Sequence, residues 1–68
     1  MKKVEVVTFD IANQSFDYYT MEQWNRQIEI WREEMLEDGF SEEVLESADY
    51  EEVVELMYGG ELFFDIVD

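Results

Sequence analysis

Apolar residues recur along this chain with two different periods, and each change of period marks the start of a new element. Val4 to Ile11 alternate as a strand does, with Val4 and Val6 on one face and Val7, Phe9 and Ile11 in the opposite phase. The phase flips at Val6-Val7, and a bulge there, or a strand covered on both faces, would account for the flip. Polar Asn13-Gln14-Ser15 reads as a turn, and Phe16, Asp17, Tyr18 and Tyr19 alternate well enough for a short returning strand. A hairpin is therefore expected.

The period then lengthens to that of a helix. Thr20-Met21-Glu22-Gln23 fits a capping box, in which the Thr hydroxyl and the Gln side chain satisfy free amides at a helix start. Met21, Trp24, Ile28, Trp31 and Met35 follow at alternating spacings of three and four, which lines them along one stripe, and Gly39 supplies a left-handed stop. Ser41 is placed to cap a short helix through Glu46. Asp49, with Glu52 three residues on, is placed to cap another that carries Tyr50, Val53, Val54 and Met57. Gly59-Gly60 ends it, and Glu61 to Val67 reads as a last strand, apolar at Leu62, Phe64 and Ile66 but also at Phe63 and Val67. Apolar residues in both phases place that strand inside a sheet or at a contact.

The predicted fold is α+β: one long and two short helices packed on a small mixed or antiparallel sheet made of the β-hairpin and the C-terminal strand. The long helix should rest on residues 4–11 and 61–67. No repeat, linker or low-complexity tract interrupts residues 1–68, which read as a single acidic domain.

Composition removes several function classes. Hydrophobic residues at 47% and aromatic ones at 16% are too many for a disordered acidic tail, so the chain should fold. It has neither Cys nor His, which excludes disulfides, thiolate chemistry and the usual zinc sites. No nucleophile-base pair or Gly-rich phosphate loop is present, and three helices in so short a chain leave little room for a deep catalytic cleft, so no enzyme is expected. The acidic clusters lack the calcium-loop pattern of alternating oxygen ligands around a central Gly, so no metal or cofactor is expected either. Trp24 and Trp31 sit at helical spacing and read as core; no basic patch accompanies them, which argues against direct nucleic-acid binding. No apolar run could span a bilayer, and Met1-Lys2-Lys3 leads into a strand pattern without a signal-peptide stretch, so the cytoplasm is the expected compartment. Anionic membrane surfaces would repel a formal net charge of -15.

That charge is unevenly spread. Lys2, Lys3, Arg26 and Arg32 all precede Glu33, whereas 14 of the 19 acidic residues lie from Glu33 onward. Carboxylates after the two predicted caps, Glu42 and Glu43, then Glu51 and Glu52, favour helix N-termini by about 0.3 to 1 kcal/mol each. Glu33, Glu34, Glu37 and Asp38 have no such support, because they crowd the end of the long helix where the macrodipole disfavours anions. Like-charge neighbours three or four apart (29/33, 33/37, 34/37, 34/38, 42/46, 43/46, 49/52, 51/55 and 52/55) together cost about 2 to 4 kcal/mol at low salt. A small domain has little more than that to spare, roughly 3 to 5 kcal/mol. Charge held at such cost points to a purpose, and the candidate partner-binding set is Glu33, Glu34, Glu37, Asp38, Glu42, Glu43, Glu46, Asp49, Glu51, Glu52 and Glu55. On helices rising about 1.5 Å per residue, these 11 carboxylates in 23 residues give one charge per roughly 3 Å. One strand of DNA carries one per about 3.4 Å.

In size and in the charge density of residues 33–55, the chain resembles the small acidic DNA-mimic inhibitors that phages and mobile elements use against restriction and CRISPR systems. The resemblance implies a protein that occupies the basic DNA- or RNA-binding groove of a host defence nuclease complex, in the host cytoplasm if phage-encoded, its carboxylates standing in for phosphates. An antitoxin-like or regulatory module capping a basic partner through an apolar patch is the alternative, with Phe63, Val67, Ile30 and Leu36 off the core stripes and available for it. Homodimerisation is also left open. A halophile domain whose acidity serves solvation alone fits the low Lys content but not the bulky aromatic residues.

Overall fold

The computed structural model describes residues 3–67; Met1, Lys2 and Asp68, counted in the charge balance above, lie outside them. Strands β1 (Val6–Asp10) and β2 (Ser15–Tyr19), helices α1 (Met21–Glu37), α2 (Glu42–Ser47) and α3 (Tyr50–Tyr58), and strand β3 (Leu62–Ile66) follow in the predicted order. The sheet is antiparallel throughout, in the order β2-β1-β3, so β2 and the C-terminal strand β3 flank a central β1. The fold is α+β, as the periodicities indicate.

Local chemistry explains each boundary. The Asp10 carboxylate accepts the Ala12 and Asn13 N–H groups at 3.0 and 3.3 Å, which starts the hairpin turn at Ile11, two residues before the polar run. Gln14 closes it at φ 52°, and Ser15 belongs to β2 rather than to the turn. At the start of α1 the capping box is complete: Thr20 Oγ1 accepts the Gln23 N–H at 3.1 Å, and Gln23 Oε1 accepts the Thr20 N–H at 3.0 Å. Glu5, just ahead of β1, adds a third acceptor by taking the Met21 N–H at 3.2 Å. The helix ends in a Schellman motif, with Phe40 N–H donating to Met35 O and Gly39 N–H to Leu36 O around Gly39 at φ 100°.

The two short helices differ in their starts. Asp49 Oδ1 accepts the Glu52 N–H at 2.9 Å and caps α3 as predicted. Ser41 occupies the N-cap position of α2, but its hydroxyl makes no capping hydrogen bond, and only its carbonyl joins the helix by accepting from Leu45. The predicted Ser41 cap is thus a backbone cap.

All three helices lie on one face of the sheet. Trp24, Ile28, Trp31 and Met35 of the predicted stripe are buried, together with Val6, Leu45, Ala48, Val53, Val54 and Leu62, while Met21, Tyr19, Tyr50 and Phe64 pack against them. Trp24 is the centre of this core, with its ring 5.5 Å from Tyr19 and 5.2 Å from Phe64 on the two outer strands. Aromatic side chains of this size, fully buried as Trp24 is, dominate the energetics of a core.

The phase flip in β1 has neither of its predicted causes. Register is unbroken from Val6 to Asp10 against both neighbours, so there is no bulge. Nor is the strand covered twice: Val6 and Thr8 are buried under the helices, whereas Val7 and Phe9 point to an open face and are only half-buried. The apolar doubling in β3 has the same origin. β3 is an edge strand, not an internal one, and Phe63 is 58% exposed.

Candidate partner-binding surface

Every one of the eleven candidate carboxylates is exposed. Helix geometry sends them to different sides of the helical layer. Glu33 from α1 and Glu42 and Glu46 from α2 meet Glu29 around a cleft of about 350 Å³ floored by Leu36 and Leu45. Arg32 is anchored in the same cleft. Its guanidinium pairs with Glu29 at 2.7 Å and donates to the Ala48 carbonyl at 2.7 Å, which ties α1 to the α2–α3 connection. That is the one ion pair among the described residues.

Asp49, Glu51 and Glu55 form a second group, set along β3 rather than over α1. Asp49 also serves as the α3 cap, so part of its charge already answers helix amides. Glu34 goes a third way, towards Tyr58. Burial raises the Tyr58 phenol pKa first of all, and the negative charges of Asp10, Glu34 and Asp17 raise it further, against a hydrogen-bonding contribution from Trp31 that lowers it. Glu37, Asp38, Glu43 and Glu52 stand exposed at helix ends and on the outer side.

Two features escape sequence reasoning. Asp10 and Asp17 belong to the first half of the chain, yet they share the field around Tyr58 with Glu34; the register Thr8↔Asp17 puts both in phase with the helix-facing side. The same region raises the Tyr19 phenol, through burial above all, then through Asp17, with a Thr8 hydrogen bond acting in the opposite direction and Tyr58 adding to the rise. Acidity that looks confined to the second half is therefore continued on the sheet.

The open sheet face is the other. Phe16, Phe9 and Phe63 are direct cross-strand partners and form a row across all three strands, with the Phe9 and Phe16 rings 4.8 Å apart. A second row holds Tyr18, Val7 and Asp65. Of the four residues proposed to form an apolar patch, only Phe63 belongs to the sheet, and Val67 follows one residue after the end of β3. Ile30 lies beside Tyr18 and Tyr19 at the β2 edge, and Leu36 in the α1–α2 cleft, so the four do not form one patch. Alternation of Phe9 with Val7 and of Phe16 with Tyr18 carried the signal for the aromatic face, once register is known.

No group of acidic side chains among the described residues is arranged to hold a metal ion, and no helix of the described residues is long and apolar enough to cross a membrane. In comparisons with known proteins, no family model, curated protein or solved structure matches this chain.

Proposed function

We propose that this chain binds the cationic, nucleic-acid-binding surface of a partner protein and blocks it, as an acidic nucleic-acid mimic directed at a defence nuclease complex of the restriction or CRISPR type. One observation carries the proposal: eleven carboxylates from Glu33 to Glu55 are all exposed, and none of them pairs with a cation among the described residues. Unneutralised charge on a domain this small costs stability through self-repulsion and supplies a field that steers cationic partners. No catalytic group takes part.

Competition with nucleic acid is the direct test. The chain should displace labelled duplex DNA or guide RNA from at least one nuclease in a panel of restriction and CRISPR effectors, with affinity falling steeply as salt rises. Replacing Glu33, Glu42 and Glu46, which share the α1–α2 cleft, with glutamines should weaken that displacement more than about tenfold, or about 1.4 kcal/mol. Failure to displace nucleic acid from any member of the panel overturns the proposal.

The open aromatic face favours a second function, that of an antitoxin-like or regulatory module capping a basic partner through apolar contact. Phe16 and Phe63 are each 58% exposed at the ends of the Phe9 row. Binding through that face would persist at about 0.5 M salt, where electrostatic contacts across more than a few ångströms are screened.

A further inference from the structure

Among the described residues both outer strands of the sheet have a free edge, and the two edges differ. Beside β2 the cleft is lined by Gln23, Arg26, Gln27 and Ile30 of α1. Beside β3 two clefts, of about 440 and 180 Å³, meet at Glu51 and Phe64 and together follow the strand from Leu62 to Ile66. Their walls carry Asp49, Glu51, Glu55 and Asp65, and their floor Val54, Leu62 and Phe64; neither contains Lys or Arg. We propose that this groove between α3 and β3 takes an extended, cationic peptide segment of a partner protein, which pairs with β3 as a fourth strand.

The main chain is set for it. Ile11 N–H donates to Glu61 O at 2.9 Å and Val67 N–H to Glu5 O at 2.7 Å, so in the β1–β3 ladder the odd-numbered residues of β3 turn their backbone groups towards β1. Alternation in an antiparallel ladder then turns the N–H and C=O groups of Leu62, Phe64 and Ile66 outward. β3 has no strand partner on that side among the described residues. An edge of this kind is a template for strand addition, and the five residues of β3 match a peptide of about five residues at about 3.4 Å each.

Charge and periodicity choose the occupant. Side chains of an added strand alternate between the two faces of the sheet. Those on the helix side would meet Glu51, Glu55 and Asp49, and those on the open side would continue the row that ends at Phe63. Arginine or lysine at alternate positions with apolar residues between them satisfies both. A second copy of this chain fits worse, because β3 pairing with its own copy would bring two sets of these carboxylates into one cleft in molecules of formal net charge -15 each. The inference rests on the reading of the chain as a binder of cationic protein surfaces and names the segment it recognises.

The probe is a capped peptide of alternating arginine and valine, six residues long, with two isomers N-methylated at the arginines or at the valines. Charge is the same in all three, but in each isomer one edge of the strand has lost its donors. One isomer should bind as the parent does and the other at least tenfold more weakly, and parent binding should slow amide hydrogen exchange at Leu62, Phe64 and Ile66. A Glu51→Gln, Glu55→Gln double variant, altered only at exposed positions, should keep its circular dichroism and bind the parent at least threefold more weakly. Equal binding of both isomers, without protection at β3, overturns strand addition and leaves charge-driven binding standing. No binding of any of the three overturns both. Protection of the same amides in a dimer without peptide overturns it in favour of a second copy.

Discussion

On the helix side of the sheet, Val6 and Thr8 are buried and Tyr19 and Phe64 pack on Trp24, while on the other side Phe16 and Phe63 stand 58% exposed at either end of a row centred on Phe9. Both faces carry large apolar residues. What differs is cover: α1, α2 and α3 all return to the same side, and three strands are too few to curl over their own outer face. Apolar side chains on the covered face sustain the fold. Those on the open face contribute lateral contacts such as Phe9 on Phe16, worth about 0.2 to 1 kcal/mol, and are left free for a partner.

Removing one ring from each face should separate them most sharply. Trp24→Ala, at a fully buried position, should cost about 3 to 5 kcal/mol and leave the chain largely unfolded, whereas Phe16→Ala should cost about 1 kcal/mol or less. Urea denaturation followed by circular dichroism measures both, and equal losses would mean that the faces are not energetically distinct.

Salt should act on the helical layer and hardly on the sheet. Carboxylate neighbours 29/33, 33/37 and 34/37 in α1, 42/46 and 43/46 in α2, and 51/55 and 52/55 in α3 all fall within observed helices, with Glu29 partly answered by Arg32. Screening them should raise stability by about 1 to 3 kcal/mol between about 0.01 and 0.5 M salt. A melting temperature that does not move over that range would show that the acidic surface imposes no strain on the fold.

Helix starts allow a finer comparison. Thr20→Ala and Asp49→Ala each delete a side-chain acceptor and should each cost about 1 kcal/mol, while Ser41→Ala deletes none and should cost less than about half of that. Chemical denaturation of the three single variants orders them.

The smallest effect belongs to the phenols. Tyr19 and Tyr58 both have raised pKa values, chiefly through burial, so the fold favours their neutral forms. Their contribution is complete below the ordinary phenol value of about 10 and is lost as pH rises through the higher folded values. Melting temperature should therefore fall above about pH 10, and Tyr58→Phe should make that fall shallower. An equal slope in the variant would exclude Tyr58 as a source.

Much of this architecture is legible in the chain itself. The capping box at Thr20, the stripe from Met21 to Met35, the Gly39 stop and the element order need only neighbours within a few residues, and all appear as expected. Exposure of Glu33 to Glu55 is legible too, since unpaired carboxylates are almost never buried. Which strand is central, and which face of it is covered, depends on contacts between residues more than fifty positions apart, such as Val6 with Ile66. Alternation names two faces but cannot say which one the helices will take. For that reason the flip at Val6-Val7 suggests a bulge or a doubly covered strand when read along the chain, and an open aromatic face only when the sheet is assembled. The acidic run behaves in the same way. Its charge is set residue by residue, but its division among the α1–α2 cleft, the Tyr58 neighbourhood and the β3 groove follows from how three helices cross one sheet.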